Sequence, residues 1–167
     1  MNVRQTAALK WTSYALAALL LCFLRRLLLG SALFWGVLPF LPPVLLATEA
    51  SLEQPKPAVL SGIVFGALCD LVLPTSFPCL YTLAFTCSSL LTATVMSSLL
   101  QKGLARAFFS SVLTFAIVDL FKILFLLPRG VAVPAMLFLF LRETIISCVL
   151  ILPSYPLLRA VHRFFAA

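Results

Sequence analysis

Six apolar runs follow one another along the chain, each closed by proline, glycine or a basic residue, and this succession constrains the fold more than any single motif. Runs of this kind match the roughly 20 residues a helix needs to cross about 30 Å of hydrocarbon. Lipid admits only helices or closed barrels as spanning structures, and the alternating polar positions of a barrel strand are absent. With 63% hydrophobic and 10% charged residues among 167, the chain has no polar shell for a soluble globule. Its mean hydropathy is +1.15. The expected fold is an all-α integral membrane protein, one transmembrane domain over residues 1–167, built as a compact bundle of about six helices with five as the alternative.

The expected spans cover residues 11–29, 43–54, 58–73, 80–100, 107–127 and 131–152. Trp11 and Tyr14 suit the entry interface of the first. Residues 30–43 hold two glycines and three prolines, too broken for one regular helix, and read as a bend or interfacial segment. At Gln54-Pro55-Lys56-Pro57 neither proline is expected to continue a helix, which places the start of the third span at residue 58. After Pro153 a basic amphiphilic tail carries Arg159, His162 and Arg163.

The net charge of +7 does not mark a nucleic-acid binder, because the twelve Lys and Arg are dispersed along the chain and form no basic patch. They orient the chain instead. Six spans put Arg4, Lys10, Lys56, Lys102, Arg106, Arg159 and Arg163 on the side of the termini and Arg129 in a loop opposite. The positive-inside bias then places both ends in the cytoplasm.

Within the third span Gly62, Gly66 and Asp70 fall four residues apart, so one helical stripe carries two bare backbone patches and a carboxylate. A small-xxx-small step lets another helix approach closely in a membrane, and an ionisable residue there marks function or a specific partner. Facing outward, the stripe would accept a partner's transmembrane helix with Asp70 setting register; facing inward, it packs the bundle. Arg25 and Arg26 lie at comparable depth and are the expected counter-charges of Asp70, which sits at the unfavourable C-terminal end of its helix dipole. Asp119 and Lys122 share a face of the fifth span, and Arg142 with Glu143 stands near the middle of the sixth. An intramembrane pair between Asp119 and Arg142 is the plain expectation, a proton or ion relay the sharper one. Thr82, Thr86, Ser89, Ala93 and Ser97 form a small-residue stripe suited to tight packing.

Chemistry beyond binding finds little support. His162 is the only histidine and is expected to be solvated in the tail. Glu49 and Glu53, one turn apart, are expected to solvate a helix end. There is no H-x-x-x-H, no Cys/His cluster and no Gly-rich phosphate loop, so no catalytic residue, cofactor or metal is assigned. Cys22, Cys69, Cys79, Cys87 and Cys148 are odd in number without C-x-x-C spacing and read as small apolar residues, a Cys69–Cys79 bridge being the one conceivable pairing.

A short basic N-terminus, a first span, a second span marked by Pro43-Val44-Leu45-Leu46, then Gly62-x-x-x-Gly66-x-x-x-Asp70, a turn and a long small-residue helix together resemble the bacterial rod shape-determining protein MreD family. The family's usual glycine in that turn is Pro78 here, and its glycine-tyrosine step is Ser88-Ser89. The resemblance implies a non-enzymatic membrane subunit of the peptidoglycan elongation machinery. Its implied partner is the bitopic protein MreC and, through it, an actin-like filament protein, a glycan polymerase and a transpeptidase. The family is similar in fold to the substrate-binding subunits of energy-coupling-factor vitamin transporters, which supplies the alternative: a vitamin-capturing subunit docked on an ATPase module.

Overall fold

A computed structural model describes residues 3–29, 36–73, 77–101, 103–129 and 133–166. All regular elements among them are helical: α1 (Val3–Leu29), α2 (Pro42–Leu52), α3 (Pro55–Val72), α4 (Leu80–Leu91), α5 (Leu104–Leu126), α6 (Val133–Cys148) and α7 (Ile151–Ala166). Two of them, α3 and α5, are long and apolar enough to cross a membrane, and the α6–α7 pair, bent by 51°, makes a third if taken as one span. The exposed faces are apolar. Leu16, Leu71, Leu120 and Leu124 are each more than 60% exposed, which water would penalise and lipid would not. Two or three such spans, beside the shorter apolar helices, point to a multi-pass membrane protein.

The short helix α2 is the axis of the molecule. Pro42 and Pro43 open it, because the first helical positions need no N–H partner, and every residue from Pro43 to Leu52 is buried. Its sequence has no polar face because it has no exposed face. Helices α3, α4, α5 and α7 pack around it. One core joins Tyr14, Ala17 and Leu21 of α1 to Leu45 of α2, Phe115 of α5 and Tyr155 and Leu158 of α7. A second joins Leu46 to Cys69, Tyr81, Phe85 and Val118.

Three boundaries differ from the sequence expectation. Pro55 and Pro57 do not delay the third helix but start it, since both lie in the first turn, where N–H groups have no intrahelical acceptor. The fourth helix passes through a π-helical stretch, Thr92–Met96, before its last turn at Ser97–Leu99. The helix of the expected sixth span ends at Cys148, short of residue 152, and the segment beyond it is helical: the chain bends after Cys148 and continues as α7, with Pro153 in its first turn and Pro156 inside it. Residues 30–35 of the expected bend, 74–76 of the turn before α4, and Lys102 lie outside the described residues.

Candidate functional site

The Gly62, Gly66 and Asp70 stripe faces α4 of the same chain. A Cβ built at Gly66 would overlap the Cα of Thr82 and stand 2.8 Å from Thr82 N and Tyr81 O, and one at Gly62 would stand 2.5 Å from Ser89 Oγ. Backbone therefore lies on backbone along this seam, the contact that only glycine permits. The small-residue stripe supplies the other side through Thr82 and Ser89; Thr86 instead donates its hydroxyl to its own helix at Thr82 O, 2.6 Å away.

Asp70 completes the seam by capping α4. Its Oδ1 accepts from Tyr81 N at 3.0 Å, and its Oδ2 accepts from Thr82 N at 2.9 Å and from Thr82 Oγ1 at 2.7 Å. The residue at the N-cap position, Cys79, makes no side-chain cap and sits in the left-handed region with φ of 64°. Asp70 supplies the missing cap from the preceding helix. The positive end of the α4 dipole thus offsets the negative end of α3, the role expected of Arg25 or Arg26. Arg26 is exposed and makes no ion pair with Asp70, and the side chain of Arg25 lies outside the described residues.

The two ends of α2 hold the other polar groups. At its C-terminal end Glu53 is buried, not solvated, and gathers three elements. Lys10 Nζ of α1 lies 2.6 Å from Oε1 and 2.8 Å from Oε2. Tyr14 donates its hydroxyl to Oε1 at 2.9 Å, and His162 Nδ1 of α7 stands 3.0 Å from the same oxygen. His162 is half-buried and partnered, contrary to the expected solvated tail. No local pattern announces this cluster, whose members come from the start of the first apolar run, the end of the second and the tail beyond the sixth.

Near the N-terminal end of α2, Lys122 of α5 stands between two carboxyl groups. It lies 3.6 Å from Asp119 Oδ1 on its own helix and 3.6 Å from Glu143 Oε2 on α6. The rings of Phe40 and Phe140 flank it, with centroids 5.7 and 5.2 Å from Nζ. Asp119 keeps the expected intramembrane pairing, but with Lys122. The neighbour that closes the set from α6 is Glu143 instead of Arg142, whose guanidinium lies 4.1 Å from the Phe138 ring centroid. Asp119 Oδ1 has no hydrogen bond within this set.

Arg106, expected in a loop, is buried in the first turn of α5 at 4% exposure. Cys69 and Cys79 are both free thiols and form no bridge. Among the described residues no group of three His, Cys, Asp or Glu side chains is placed to hold a metal ion. Comparison with known protein families, curated proteins and solved structures finds no match to this chain.

Proposed function

We propose that this chain is a non-enzymatic scaffold or regulatory subunit of the bacterial cell-shape and peptidoglycan elongation machinery, an MreD-type protein that binds an MreC-like bitopic partner. The observation that carries the reading is the α3–α4 hairpin. The residues on which the family resemblance rests, Gly62, Gly66 and Asp70, act as one unit that locks two helices together by backbone contact and a remote cap. A bundle whose intramembrane carboxylate and glycines are spent on internal rigidity offers other membrane proteins a fixed apolar surface, which is the physical requirement of a scaffold. In this reading the bundle makes about six crossings, the α6–α7 pair forming the last, with both termini in the cytoplasm.

The test is affinity capture of the tagged full-length chain from its native bacterial membrane, with photo-crosslinking residues placed at the exposed positions Leu16 and Leu120. An MreC-like coiled-coil protein crosslinked at one of these positions is the expected result. Recovery of a transporter ATPase pair, with a vitamin held by the purified chain, would replace this reading by the energy-coupling-factor alternative.

A further inference from the structure

A groove of about 450 Å³ runs between α1 and α3 and is walled by Trp11, Leu19, Cys22, Leu60, Val64 and Leu68. Its walls are apolar apart from Glu49 and Ser61. Leu19, Leu60, Val64 and Leu68 are all at least half exposed, so the groove opens sideways, toward the surroundings of the bundle, and not along its axis. From Trp11 to Cys22 it follows about 16 Å of α1 at the helical rise per residue. Such a shape suits a chain-like molecule arriving from the membrane.

The polar end decides which one. Glu49 contributes to the groove, is 2% exposed, and its Oε1 has no hydrogen-bond partner. A buried carboxylate oxygen without a donor is costly and is ordinarily satisfied by a partner. The nearby cation cannot serve, because Lys10 is committed to both oxygens of Glu53. Trp11 belongs to the same groove, and an indole face is the strongest of the aromatic partners for an ammonium. A buried carboxylate and an indole lining the same apolar trough form a receptor for a cationic head on an aliphatic tail.

The geometry points to a binding site for a membrane amphiphile with a primary ammonium head, its amine on Glu49 and Trp11 and its chain laid along α1 and α3. The site is independent of any protein partner and goes beyond the scaffold role. Its source is either a single-chain amine or the head group of an aminophospholipid, the two sharing this chemistry.

Native mass spectrometry of the full-length chain in neutral detergent, with dodecylamine, dodecanol, phosphatidylethanolamine and phosphatidylglycerol as probes, tests the proposal. One equivalent of dodecylamine is expected to bind at least tenfold more tightly than dodecanol. Preference for phosphatidylethanolamine over phosphatidylglycerol by a similar factor would assign the site to a lipid head group, and its absence to single-chain amines. Glu49→Gln, nearly isosteric, is expected to erase the amine preference while leaving the melting temperature of the free protein within a few degrees. Val64→Trp, filling the trough from its exposed side, is expected to abolish binding of both dodecyl probes. Trp11→Leu gives a second reading of the head-group site, with a severalfold loss for the amine and none for the alcohol. Equal affinity for amine and alcohol in the wild-type chain, or an amine preference that survives in both Glu49→Gln and Trp11→Leu, would overturn the assignment.

Discussion

The two ends of α2 solve the same problem, a charge buried among apolar helices, in opposite ways. At the C-terminal end one carboxylate, Glu53, meets an ammonium, a hydroxyl and an imidazole, each within about 3 Å. At the other end one ammonium, Lys122, serves two carboxyl groups, each at 3.6 Å, with aromatic rings as its remaining neighbours. The first arrangement saturates its acceptor with directed bonds. The second is held by Coulomb attraction across longer gaps and leaves an acidic oxygen without a hydrogen bond. Glu53 therefore works as a latch joining α1, α2 and α7, whereas Lys122 works as a counter-ion that keeps two acids from repelling each other across α5 and α6.

Removing the shared cation is the most severe way to break this contrast. Lys122→Met leaves the buried Asp119 and the half-buried Glu143 with no ammonium between them and is expected to cost about 3–5 kcal/mol, the range for an uncompensated buried charge. Chemical unfolding in detergent micelles measures it. A smaller loss than for the latch variants would mean that the acids do not depend on Lys122. Next comes Glu53→Gln, which weakens three contacts at once but leaves Lys10 partly exposed and able to recover water. The expected loss is about 2 kcal/mol.

Tyr14→Phe separates direction from charge at the latch, since it deletes a single hydroxyl donor. A loss of about 0.6 kcal/mol, typical of hydrogen bonds between membrane helices, is expected in the same unfolding measurement. The smallest effect sharpens the contrast most. Asp119→Asn removes one of two acids from a site with one cation, and its expected effect lies within about 0.5 kcal/mol of zero, on either side. A cost comparable to that of Glu53→Gln would show that Asp119, for all its missing hydrogen bond, is as fully used as the latch carboxylate.

Much of the fold was legible in the order of residues. The spacing of Gly62, Gly66 and Asp70 placed them on one face because a helix returns to the same side every three to four residues, and the same rule brought Asp119 to Lys122. What those faces meet was not legible. Asp70 finds its donors eleven and twelve residues onward, in the first turn of the next helix, and nothing in its neighbourhood distinguishes a backbone N–H from an arginine as its counterpart. The position of His162 is hidden for a local reason: Pro153 marks the end of the expected sixth span, yet it stands in the first turn of α7, a helix that also accommodates Pro156 and carries the imidazole to Glu53. Glu143 and Arg142 are not separable by sequence because neighbours on a helix point about 100° apart, and only the rotation of α6 selects which turns toward α5.

Read alone, the order of residues determined that the chain is helical, apolar on its outside and built for close helix contact, since these properties come from composition and from periodicity within each run. The tertiary structure alone decided which groups are partners. Pairing depends on the depth and rotation at which separate helices come to rest, and those are set jointly by all the helices packed around α2.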